Sequence, residues 1–84
     1  MNIESLLENN QIIMSVDHAK ALLAENSTGR MYIYHTGCLP NDRVLNQRLD
    51  RMARFLLMKS ELGACNLFQK KMEKNNIYYY ICQY

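Results

Sequence analysis

Proline is almost absent from this sequence: Pro40 stands alone, and there is no internal repeat, low-complexity tract or linker-like run. With nothing to divide the chain, residues 1–84 are expected to form one small domain. The cysteines, Cys38, Cys65 and Cys82, are odd in number and too sparse for a disulfide framework. No run approaches the roughly 18 unbroken apolar residues that span a bilayer. Residues 1–8 are acidic and polar-interrupted, without the basic and apolar regions of a signal peptide. The expectation is a cytoplasmic chain with reduced thiols and no membrane partner.

Chemistry-bearing patterns are scarce as well. There is no glycine-rich phosphate loop. His35 and Cys38 offer a base and a nucleophile, but a workable pair also needs an orienting group and an oxyanion hole. A chain of 84 residues has little room for both a core and a substrate pocket, so neither an enzyme nor a small-molecule substrate is expected. Adding Cys65 and Cys82 to His35 and Cys38 would complete a zinc set in principle. Without a second close pair, the isolated cysteines read as small hydrophobes in strands, and no metal or cofactor is expected.

What is present is an ordinary globular composition, 49% hydrophobic and 21% charged. The net charge of +2 hides an asymmetry: residues 1–42 sum to −3 and residues 43–84 to +5. A basic second half points to an anionic partner. Ile3, Leu6 and Leu7 mark a short first helix that Asn9 and Asn10 interrupt. Residues 12–14 read either as a packed connection or as a stub of strand. Ser15 is an N-cap, Asp17 suits the first turn, and Val16, Ala19, Leu22 and Leu23 form the face of a second helix. Residues 26–29, Asn-Ser-Thr-Gly, should stop it.

Residues 31–35 are strand-like, and a turn over residues 36–42 ends in Asn41 or Asp42 as the cap of a long helix. That helix is expected over residues 43–62, with Leu45, Leu49, Met52, Ala53 and Leu56 on one face and Gly63 as its terminator. Residues 65–72 and 77–82 form a hairpin around residues 73–76. The fold class is therefore α+β, with helices on one face of a small three-stranded antiparallel sheet that ends in a C-terminal β-hairpin.

Opposite the leucine stripe, Arg43, Gln47, Arg51 and Arg54 fall within about 80° of one another at 100° per residue. Arg48 and Lys59 flank the apolar side, where their stems can cover Phe55. Guanidinium forks suit guanine or phosphate and an amide suits adenine. The competing reading is a solvated face with pairs such as Asp50–Arg54. Lys70, Lys71 and Lys74 cluster at the hairpin tip, and a helix followed by a basic-tipped hairpin is how a winged helix is assembled. Lysines at a hairpin tip also serve solubility alone. Tyrosines crowd the last strand. Alternation sets Tyr78, Tyr80 and Cys82 against Ile77, Tyr79 and Ile81, so one set should leave a tyrosine-rich outer face. Base stacking, a protein interface and cross-strand filling all fit such a face. Because a domain this small is marginal, a homodimer interface through Tyr78 and Tyr80 is favoured.

Residues 34–43 (Tyr-His-Thr-Gly-Cys-Leu-Pro-Asn-Asp-Arg), 63–71 (Gly-Ala-Cys-Asn-Leu-Phe-Gln-Lys-Lys) and 78–81 (Tyr-Tyr-Tyr-Ile) resemble short uncharacterised proteins of bacteriophages and prophages. In those proteins a similar segment precedes a long helix and a basic hairpin ending in a tyrosine-containing strand. The resemblance covers about 50 residues, excludes the first 30, and implies a phage-derived origin and a winged-helix-like fold. The leading expectation is a double-stranded-DNA-binding regulator contacting the groove through Arg43, Gln47, Arg51 and Arg54, and phosphate through Lys70, Lys71 and Lys74. The alternative is a protein-interaction module that docks on a host or phage protein without binding DNA.

Overall fold

Ser15 starts a helix as its side chain suggests. Its Oγ accepts from the His18 N–H at 3.1 Å, and His18 Nδ1 in turn accepts from the Met14 N–H, just before the cap, at 3.1 Å. The computed structural model describes residues 3–25, 29–74 and 76–84. They form α1 (Ile3–Glu8), α2 (Val16–Ala24), β1 (Met31–Thr36), α3 (Leu39–Leu45), α4 (Gln47–Glu61), β2 (Asn66–Met72) and β3 (Ile77–Gln83). Residues 26–28 of the expected stop and Asn75 of the hairpin turn lie outside the described residues. No helix among the described residues is long and apolar enough to cross a membrane.

The sheet is antiparallel and three-stranded in the order β1-β3-β2, with β2 and β3 forming the expected hairpin. Residues 11–13 lie along the outer edge of β1. The Ile33 N–H donates to Gln11 O at 2.9 Å, and the Ile13 N–H donates to Ile33 O at 2.8 Å. The apolar triplet is thus both a packed connection and a stub of strand.

Both faces of the sheet are covered, which corrects the expectation of helices on one side only. On one face Tyr32, Tyr34, Tyr80 and Cys82 pack against Ala19 and Leu22 of α2 and Leu49, Met52 and Leu56 of α4, with Leu39 of α3 alongside. On the other, Ile3 and Leu6 of α1 cover Ile33, Tyr79 and Ile81. Alternation along β3 separates the two sets as expected, but neither is left as an outer face. A bulge between Ile33 and His35 interrupts the β1–β3 register, so that Ile33 faces Ile81 while His35 faces Tyr80. Strict alternation after Tyr32 and Tyr34 would send His35 toward α1. The bulge instead turns it to the side of α3.

The long helix is two helices. Asn46 takes φ −124° and ψ 100°, closes α3 and caps α4, its side chain accepting from the Leu49 N–H at 3.1 Å. Asparagine competes with the helical ladder through this local hydrogen bond. Leu45, expected in the buried stripe, is 92% exposed, because the break removes it from the face that Leu49, Met52, Ala53 and Leu56 do bury. The helical path also begins earlier than expected, at Leu39, with Pro40 in the first turn where its missing N–H costs nothing. At the far end Gly63 takes φ +81°; its N–H bonds to Ser60 O and the Ala64 N–H to Lys59 O, closing a Schellman motif.

Candidate nucleic-acid interface

Gln47, Arg51 and Arg54 share the outward face of α4, opposite its buried leucines, and all are exposed. Arg43 is not on that helix. It projects from α3, and its Nε donates to Asp50 Oδ1 at 2.7 Å. Arg54 Nε forms an ion pair with the other oxygen of the same carboxylate, Asp50 Oδ2, at 2.9 Å. The expected i,i+4 pair therefore exists, and a second arginine joins it from the neighbouring helix. The hydrogen bond from Arg43, aided by the charge of Arg54, holds the Asp50 carboxyl below the usual carboxylate value. Around this centre Pro40, Arg43, Val44, Gln47, Asp50 and Arg54 line an open groove of about 400 Å³ between α3 and α4.

The flanking cations are placed as amphipathic stems. Lys59 Nζ lies 5.6 Å from the centre of the Phe55 ring, and Lys20 of α2 approaches the same ring at 5.7 Å. Arg48 lines a separate cleft of about 210 Å³ with Tyr34, Asn46 and Met52. Burial there pushes the Tyr34 phenol up to about 12.

Lys70, Lys71 and Lys74 are all exposed, but they do not form one cluster. Lys71 faces Tyr78 across the hairpin, its Nζ 5.7 Å from the ring centre. Its neighbours on that face, Leu67 and Cys82, belong to the core beneath α4. Lys70 faces Tyr79 on the α1 side. Of these two strand lysines, Lys71 shares the side of α4.

The pairing of Tyr78 with Tyr80 as an interface is corrected. Tyr80 is 8% exposed and packs against the rings of Tyr34 and His35. Its hydroxyl accepts from the Leu39 N–H at 3.1 Å. Tyr79 is buried under α1, and Tyr84 spends its hydroxyl on Ala19 O at 3.1 Å. Of these residues on β3 and just beyond it, Tyr78 alone stands at the surface.

The segment that led into the long helix forms a clasp. His35 Nε2 and Asp42 Oδ2 are 2.8 Å apart, and the same oxygen accepts from the Cys38 N–H at 3.1 Å. The hydrogen bond to His35 lowers the Asp42 carboxyl below its ordinary value. Asp42 was expected as a cap residue preceding the helix; it sits inside α3 and reaches back to the N-cap residue Cys38. Gly37 is required beside it: its φ is +119°, and a Cβ there would stand 2.9 Å from Asp42 Oδ2. Among the described residues no three His, Cys, Asp or Glu side chains come close enough to hold a metal ion. Cys65 and Cys82 are buried, and burial raises both thiols above their ordinary pKa.

Sequence reasoning missed the bridging position of Asp50, since its partner Arg43 comes near only because the chain bends at Asn46. The signal was an asparagine three residues before a core leucine, which is the spacing of an N-cap. It missed also that Val44, 77% exposed, lies at the groove's rim beside Leu45. Compared with protein-family models, with curated proteins and with solved structures, the chain matches none of them.

Proposed function

We propose that this chain binds double-stranded DNA in the manner of a winged helix, as a cytoplasmic regulator of phage or prophage type. The observation that carries the reading is the outward face of α4, where Gln47, Arg51 and Arg54 stand exposed on a helix that runs through one turn into the β2–β3 hairpin. Two supports are added. The element order from α2 onward is helix, strand, helix, helix, strand, strand, and the hairpin adjoins the last helix as a wing would. The sheet order β1-β3-β2 sets β3 beside both other strands and leaves β2 as an edge strand.

In this reading α4 enters the major groove, Gln47 and Arg54 face base edges, and Arg51, Lys71 and Lys74 neutralise phosphate. Arg43 braces α4 against α3 through Asp50. The test is fluorescence anisotropy with a random-sequence duplex, titrated across salt. Binding should weaken steeply as salt rises, and Arg51→Ala with Lys71→Ala should lower the log–log slope by about 2. Absence of binding even at low salt would overturn the proposal.

One observation favours a second reading, docking on a protein. Val44 and Leu45 present apolar side chains at the α3–α4 corner, beside the charged groove. Val44→Ser with Leu45→Ser should leave duplex affinity within about twofold if DNA is the ligand, since exposed substitutions of this kind shift energies little.

A further inference from the structure

Arg54 differs from the other exposed cations of α4 in having one edge of its guanidinium already fixed. Nε is held by Asp50 Oδ2 at 2.9 Å, and that carboxylate is itself held from the opposite side by Arg43 Nε at 2.7 Å. The side chain of Arg54 is nonetheless 74% exposed, against 29% for Arg43. Its two terminal nitrogens have no partner among the described residues and form a fork whose aim is set by the anchored Nε. An arginine restrained in this way has lost much of its rotamer freedom before any ligand arrives, so less is lost on binding.

The anchor also selects among ligands. A phosphate taken by this fork would be brought toward the negative charge of the Asp50 carboxylate, which lies 2.9 Å from Arg54 Nε. A neutral pair of acceptors suffers no such repulsion. The O6 and N7 atoms of guanine present that pair in the major groove, spaced for an end-on guanidinium. Arg51, on the same face but with no ion-pair partner among the described residues, is left to phosphate.

Resting on the DNA-binding reading above, we infer that Arg54 is a guanine-reading residue and that Asp50 is its positioning residue, so that this site recognises duplex DNA carrying a guanine at one defined position. Asp50 touches no base. It sets the direction of the fork and keeps the fork off the backbone.

The test is selection of duplexes from a randomised pool by the full chain, followed by anisotropy on the selected duplex and on the same duplex with the shared guanine–cytosine pair changed to adenine–thymine. The wild type should recover a common guanine whose replacement weakens binding about tenfold. Asp50→Ala should reduce that preference to about twofold while affinity for an unrelated duplex stays level or rises, since a negative charge has left the face. Arg54→Lys keeps the charge and leaves the Arg43–Asp50 pair in place. It should likewise lose the preference and retain non-specific affinity, and it decides the matter if Asp50→Ala folds poorly. Duplex binding with no common guanine, or a preference that survives Arg54→Lys, would overturn the inference while leaving DNA binding intact. Failure to bind any duplex would instead overturn the DNA-binding reading itself.

Discussion

Two aspartates hold α3 at its two ends, and they are used differently. Asp42 faces back into the β1–α3 turn, where His35 and the Cys38 N–H occupy one of its oxygens. Asp50 faces across to α3, where two arginines take one oxygen each and keep their terminal nitrogens. The first arrangement gathers two donors on one oxygen and finishes a turn. The second orders two donors without exhausting them. A charged cluster reads as function when it leaves oriented groups unspent, and as architecture when it does not. The Asp42 clasp belongs to the sequence segment with the most motif-like appearance, residues 35–42, whereas the Asp50 cluster draws on a face read both as a groove-contacting stripe and as a solvated one.

Breaking the layer beneath both aspartates should have the largest effect. Leu56 is fully buried between α4 and the sheet. Leu56→Ala should cost about 2–5 kcal/mol in urea denaturation, enough to loosen both clasps together. Gly37→Ala should strike only the Asp42 clasp. Its positive φ and the Cβ approach to Asp42 Oδ2 predict a loss of about 1–3 kcal/mol. Duplex binding at a temperature where the variant remains folded should be unchanged, since Asp50 and its arginines are untouched.

Asn46 stands between the two. Asn46→Ala removes the cap that separates α3 from α4 and should cost about 1 kcal/mol. It should also weaken guanine preference, because the distance from Arg43 to Asp50 depends on that bend. The smallest effect is with pH. Both carboxyls titrate lower in the folded chain than their unfolded value of about 4. Their contribution to stability is therefore complete above that pH and declines as pH falls through the lowered folded values. Replacing Asp42 or Asp50 by asparagine should flatten that acid limb in a thermal-melt series; an unchanged limb would show that the pairs contribute nothing to stability.

Much of the architecture was legible. The period of Leu49, Met52, Ala53 and Leu56 set the inward face of α4, Ser15 announced α2, and the turn between residues 72 and 77 set the hairpin. The rest failed for local reasons. Leu45 continued the leucine period, so the break at Asn46 was masked by a residue that fits a stripe it does not join. The bulge at β1 violates the alternation by which strand faces are read, and it turns His35 to the side of Asp42. A helix as short as α1 carries no sign of where it packs, so covering Tyr79 and Ile81 was beyond pattern. Of the candidate site, the residue types were legible and the partnerships were not. Arg51 and Arg54 stand where the wheel put them, but Arg43 turned out to brace, Lys70 and Lys71 part to opposite faces, and Tyr80 belongs to the core.

The middle strand of the sheet is the last of the three along the chain, and this orders events in time. The β2–β3 hairpin closes over a turn of a few residues, whereas β1 can find β3 only after α3, α4 and β2 have been gathered into the intervening loop. The shorter closure favours the hairpin first, so destabilising changes in β1 should speed unfolding more than they slow folding. The hairpin is then the template on which the rest of the domain assembles.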